Sequence, residues 1–287
     1  MNYAICNELF GPMDFQRSME LLVKHGYQGV EIAPFTVFGD FSPLAVSSGL
    51  RVVKKALSDT GIRFAGLHWL FVKPEGLHVT SPDPDLRRRS WDHLRLLLDI
   101  SGELGGGMLI FGSPKQRSSR GTSTAEALNH YREGLAETAD YAWERKSRVL
   151  VESLASRDTD IVNTLEEAAR IVRSVDKPGL GSMFDFHNTV DETEAWDVLL
   201  DRHWDMIHHI HVNEMDGSHP GRGPSDFRPA FSLLHSRGFE GWVSLEIFSV
   251  PEDPEIVLRE TMDFFRKHGE LTPQGRGRDK SRKRRNT

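Results

Sequence analysis

A rhythm constrains this chain most. Short β-type runs alternate with amphipathic helical segments eight times between residues 3 and 267. Strands are expected at 3–7, 29–33, 63–68, 108–111, 149–153, 181–185, 207–212 and 242–247, each apolar or β-branched and bounded by Gly, Pro or polar residues. Helices are expected at 15–25, 44–59, 84–104, 124–144, 163–174, 192–201, 226–236 and 254–267. Some open on start signals, such as Ser123 and Thr124 with Glu126, or Asp226 before an apolar run. Gly26, Gly61, Gly105, Gly238 and Gly269 stand where a left-handed cap residue fits. Strict alternation implies a parallel sheet with helices outside. The spacing, roughly 34 residues, is that of one strand–helix unit. No Gly-x-Gly-x-x-Gly follows the first strand and there is no Walker-type phosphate loop. The Gly105-Gly106-Gly107 run precedes a strand and reads as a helix stop. A closed (β/α)₈ barrel over residues 1–270 is therefore expected, in place of the two domains that 287 residues suggest from length alone.

Charge separates this body from its end. The chain carries −6 overall, but residues 271–287 hold seven Lys and Arg against Asp279 alone, a net +6. The first 270 residues therefore carry −12. The end segment has no apolar residue after Leu271 and reads as a disordered basic tail, solvated or in contact with an acidic partner. An acidic body argues against a nucleic-acid enzyme. No apolar run is long enough to span a bilayer, and Met1-Asn2-Tyr3 opens no secretory signal, so a soluble cytoplasmic protein is expected. The single cysteine, Cys6, excludes an internal disulfide and a Cys-rich zinc site.

In such a barrel, chemistry sits at the C-terminal ends of the strands. Glu152 ends the fifth strand in LVESL, Asp185 the sixth in SMFDFHN, His211 the seventh in HHIHVNE and Glu246 the eighth in VSLEIF. Their separations are 33, 26 and 35 residues, each about one unit. Four consecutive strands thus aim ligand-type groups at one mouth. Three carboxylates brought together there repel strongly unless a counter-charge is present. A divalent cation answers that need. Oxygen-rich ligation with one imidazole suits Mn²⁺ best, with Mg²⁺ or Co²⁺ as alternatives. The competing reading is four unrelated polar residues paired with Arg or Lys.

The series Glu152, Asp185, His211 and Glu246 resembles that of the xylose isomerase-like barrels, the sugar-phosphate isomerase/epimerase superfamily, over roughly residues 1–270. Within it the D-tagatose 3-epimerase type of ketose epimerase is the nearest in pattern. The resemblance implies that these four residues hold one divalent metal, that Glu152 and Glu246 double as the proton-transfer pair, and that the protein is a homodimer or homotetramer. The expected function is metal-dependent isomerisation or epimerisation of a ketose or a related, including anionic, sugar. The cation would polarise the carbonyl and stabilise the enediolate, with the glutamates moving protons. Two alternatives stay open: a dehydratase of the inosose or dehydroshikimate type on the same barrel, and a non-catalytic sugar-binding barrel.

Substrate contacts are expected from His187, two residues after Asp185; from His68 and Trp69 on the third strand; from Lys115 and Arg117 in the loop after the fourth, where they could grip phosphate or carboxylate; and from Glu8. Phe10, Phe35, Phe111 and Phe248 are further candidates for the pocket wall, and Glu31 is left open. His209 shares a face with His211 and reads as buried support. The resembling epimerases carry His three residues after the sixth-strand Asp, Arg six residues after the metal His and Glu six residues after the fifth-strand ligand. Here those positions hold Asn188, Gly217 and Asp158. Asp158 is taken as a contact, and Arg222 or His219 as the substitute for the missing arginine.

Overall fold

The computed structural model describes residues 1–269; the expected basic tail, 271–287, lies outside them. The strands are β1 (Asn2–Ile5), β2 (Gly29–Ile32), β3 (Arg63–Leu67), β4 (Met108–Phe111), β5 (Arg148–Val151), β6 (Leu180–Asp185), β7 (Ile207–Val212) and β8 (Trp242–Leu245). The helices are α1 (Phe15–His25), α2 (Pro43–Thr60), α3 (Pro84–Glu103), α4 (Thr124–Glu144), α5 (Leu165–Val175), α6 (Trp196–Arg202), α7 (Arg228–Ser236) and α8 (Pro254–Gly269). All strand pairs are parallel, in the order β1-β8-β7-β6-β5-β4-β3-β2. Between β1 and β2 the barrel closes on the Cys6–Glu31 bridge and the Gln28 N–H to Tyr3 carbonyl bond of 3.0 Å. The eight-unit barrel is as expected.

Local chemistry sets the helix ends. Ser123 and Glu126 satisfy each other's backbone N–H groups in a capping box at α4, and Thr164 with Glu167 does the same at α5. Gly26 and Gly61 stop α1 and α2 in the left-handed conformation. Two expected positions move. α7 starts at Arg228, with Asp226 accepting its backbone N–H at 3.1 Å, and Gly269 stays within α8. No helix among the described residues is long and apolar enough to cross a membrane.

Period-two alternation divides each strand between two environments. Val149, Val151, Phe184, Ile210, Val212, Val243 and Leu245 join the main core, where helices pack on the sheet. Ile110, Leu150 and Met183 form a separate apolar cluster inside the barrel beside β4–β6. Beside this cluster the interior also holds buried polar groups: Glu31, His68, His209, His211 and Ser244, with the Cys6 thiol. A TIM barrel normally fills this space with branched apolar side chains. Polar groups there have to find partners, and that need organises the site above them.

Candidate active site

Glu152 follows the last residue of β5 and Glu246 the last of β8, while Asp185 ends β6 and His211 lies near the end of β7. One ligand atom from each of the four lies within 4.8 Å of the others, and all four residues are buried. Among the described residues, no Lys or Arg pairs with these carboxylates; the one ion-pair contact is His211 Nδ1 to Glu246 Oε2 at 3.1 Å. That overturns the competing reading of separately paired polar residues.

Neighbouring groups hold these side chains in place. Asn188 Nδ2 donates to Glu152 Oε1 at 3.1 Å and to Asp185 Oδ2 at 2.7 Å, fixing two carboxylates with one amide. The His187 backbone N–H donates to Asp185 Oδ1 at 2.9 Å. The Trp69 indole donates to Glu246 Oε1 at 3.0 Å.

Electrostatics mark the cluster as uncompensated. Burial, then the charges of Asp185 and Glu246, push the Glu152 carboxyl well above the usual carboxylate range. Burial and Glu246 raise Asp185 to about 6. Burial also raises Glu246, but the charge of the His211 ring 3.1 Å away, with that of His68, outweighs it and leaves that carboxyl below its ordinary value. Burial disfavours the His211 imidazolium, yet Glu31 and Glu246 hold its pKa well above the usual value. His211 Nδ1 is buried without a hydrogen bond. An orphaned imidazole nitrogen among three carboxylate oxygens fits a divalent cation of the oxygen-preferring class.

Glu152 and Glu246 open onto a cavity of about 630 Å³, also lined by Trp69, Ser113, Lys115, Arg157, Asp158, His187, Asn188 and Phe248. Of the residues expected to touch substrate, Trp69, Lys115, Asp158 and His187 line this cavity. Glu8 lines an adjacent cavity of about 440 Å³ with Phe35, sharing Trp69 and Phe248 with the first. Phe10 and Phe111 belong to the core instead.

Three expected contacts are corrected. Arg117 is 0% exposed. Its guanidinium donates to the carbonyls of Phe111 at 3.0 Å and Glu152 at 2.7 Å and stacks over Tyr131, so it clamps the ends of β4 and β5 and cannot grip a substrate anion. His68 is also fully buried, with Nε2 at 2.6 Å from Glu8 Oε2 and Nδ1 at 3.4 Å from Glu31 Oε1, and lines neither cavity. Arg222 pairs with Glu260 of α8 at 2.7 Å, as His219 does at 3.0 Å, away from both cavities.

Sequence reasoning missed Arg157, which lines the cavity and donates to His187 Nε2 at 2.9 Å. It also undervalued Asn188. The signal was available: a residue three positions after Asp185, in the turn that follows it, is placed to reach back to that carboxylate.

The chain matches the family described as Xylose isomerase-like TIM barrel over residues 19–268. It is 24% identical over 226 residues to the ketose 3-epimerase of Arthrobacter globiformis, covering 77% of this chain and 74% of that protein. It is 23% identical over 251 residues to the fructoselysine 3-epimerase of Escherichia coli O157:H7, covering 84% and 88%. The crystal structure of the 3-keto-D-glucoside 4-epimerase from E. coli superposes with a TM-score of 0.80 at 20% identity, covering 93% of this chain and 99% of that one. With eight parallel strands in barrel order and a family match over most of its length, the chain belongs to the xylose isomerase-like TIM barrel family.

Proposed function

We propose that the protein is a divalent-cation-dependent epimerase acting on a ketose or keto-sugar derivative. The observation that carries this reading is the convergence of Glu152, Asp185, His211 and Glu246 within 4.8 Å, with both glutamates facing the larger cavity. The similar proteins act, by their names, on ketoses, on fructoselysine and on a keto-glucoside. Those compounds share a carbonyl near the carbon that is inverted.

Glu152, Asp185, His211 and Glu246 would hold the cation, with Mn²⁺ the first choice for an oxygen-rich set with one imidazole. When bound, it supplies Lewis-acid polarisation of the substrate's carbonyl. The remaining work falls to this chain's side chains. Glu152 and Glu246 come from strands three positions apart and reach a substrate from different sides. One takes the proton beside the carbonyl and the other returns a proton to the opposite face, which inverts the carbon. Asn188 fixes the orientation of Glu152 and Trp69 that of Glu246. Trp69, Val72, Leu154 and Phe248 form the apolar part of the wall and limit water at the reacting carbon.

The test is metal analysis of the purified protein followed by a ketose and keto-sugar panel in D₂O. The expected result is cation-dependent deuterium incorporation beside the carbonyl, lowered about 10²- to 10⁴-fold by Glu246→Gln. A protein that binds no divalent cation, or whose exchange survives that substitution, overturns the reading. An enone product in place of an epimer would assign the chain to dehydratase chemistry.

A further inference from the structure

Beneath the four converging residues lies a carboxylate that they do not include. Glu31, on β2, is 0% exposed and has no Lys or Arg partner among the described residues. Its neighbours are imidazoles and a thiol. Oε2 lies 2.6 Å from His209 Nε2, and Oε1 lies 2.9 Å from His211 Nε2 and 3.4 Å from His68 Nδ1. Cys6 Sγ donates to Oε1 at 3.6 Å. The side chain thus reaches from β2 across the barrel to two residues of β7.

The donor and acceptor inventory gives this contact a direction. An ionised carboxylate only accepts, so an imidazole nitrogen facing it must carry a hydrogen. For His211 that nitrogen is Nε2. The other nitrogen, Nδ1, is the one that is buried without a hydrogen bond and lies 3.1 Å from Glu246 Oε2. The same rule puts a hydrogen on Nδ1 while it faces Glu246 Oε2 and no cation is bound; with Nε2 holding its hydrogen against Glu31, Nδ1 is the nitrogen left to offer a lone pair once a cation is bound. His209 Nε2 packs 2.6 Å from the second oxygen of Glu31, without hydrogen-bond alignment, and its ring meets His211 edge-on at 5.1 Å, so both the carboxylate and the His211 ring are hemmed in on that side.

We propose that Glu31 is a positioning residue, which fixes the tautomer and ring direction of His211 so that Nδ1 presents its lone pair to the divalent cation. The inference rests on the cation reading above. It assigns to β2 a part in a centre whose ligands all come from β5 to β8. A carboxylate behind a ligating imidazole also raises the basicity of the ligand, and removing such partners weakens metal binding about 10- to 100-fold.

The test uses the full chain, with Co²⁺ as the probe, in wild type and Glu31→Gln. Calorimetry gives the Co²⁺ affinity, visible absorption reports the ligand field, and thermal melts of the metal-free proteins report folding. The expected result is a Co²⁺ affinity at least tenfold weaker in the variant, with an altered visible spectrum. An affinity within twofold of wild type with an unchanged spectrum overturns the positioning role while leaving the cation reading intact. A wild-type protein that takes up no Co²⁺, Mn²⁺ or Mg²⁺ overturns both. Should Glu31→Gln fail to fold, the wild type decides: with ¹⁵N-labelled histidine and Mg²⁺ bound, the His211 ring hydrogen is expected on Nε2. A hydrogen on Nδ1 refutes the proposal.

Discussion

At Gly112 a side chain from the next strand dictates the residue. A Cβ there would lie 2.1 Å from Glu152 Oε2, so any other residue must displace that carboxylate. Gly112→Ala is expected to lower proton exchange about 10²-fold, the order of loss that follows a misplacement near 1 Å. The check is the deuterium incorporation rate beside a thermal melt, which should move little. Gly217 obeys the same logic from outside the four converging residues. A Cβ there would meet the Phe248 ring at 2.4 Å, so the arginine that the resembling epimerases carry has no room. At this scale the sequence exposed the four converging residues because each stands at, or within one residue of, a strand end, where the backbone aims it at the mouth of the barrel. Long side chains were a different matter. Lys115 and Arg117 share one loop, yet one lines the cavity and the other is buried against two carbonyls. Backbone position does not set where a flexible four-carbon or guanidinium side chain ends.

Among the elements, the clamp between β4 and β5 and the alternation of β7 carry the most consequence. Arg117 joins the two strand ends by donating to both Phe111 and Glu152 carbonyls. Both bonds leave the single nitrogen Nη1, so removing the cationic head frees both carbonyls at once. Arg117→Met is expected to cost about 2 kcal/mol, from lost charge-assisted hydrogen bonds, and to lower the melting temperature by about 4 °C, measured by circular dichroism. On β7, His209 and His211 point inward, while half-buried His208 packs against Gly181 and Arg148, where burial and then Arg148 lower its pKa from 6.5 to about 4. The unfolded chain then binds more protons than the native one between those values, so stability falls as pH drops from about 6.5 toward 4. Melts across that range should show the loss, and His208→Gln should flatten it; an unchanged slope in the variant refutes the assignment. The β7 pattern was legible over its last four residues, where His209 and His211 alternate with Ile210 and Val212; before them the register shifts between Ile207 and Ile210. That Glu31 of β2 would meet both inward histidines was not, since the pairing crosses the barrel and has no sequence spacing.

For the molecule as a whole, the prediction concerns the cation. Anything that binds only the native state stabilises it, by about 2.7 kcal/mol at a hundredfold excess over Kd. Chelation is therefore expected to lower the melting temperature by about 5 °C, and Asp185→Ala should remove that difference; equal melts of wild type with and without chelator would contradict it. The sequence by itself determined the eight-unit barrel and the four groups at its mouth, because alternation at period two and unit spacing near 34 residues are local and survive without contacts. Only the tertiary structure decided what surrounds those groups: that Asn188 fastens two of them, that Arg117 and His68 are buried beneath the cavity, and that Arg157 joins its wall. These depend on partners brought together by barrel closure, where each buried polar atom must be satisfied by whatever the opposite strand presents.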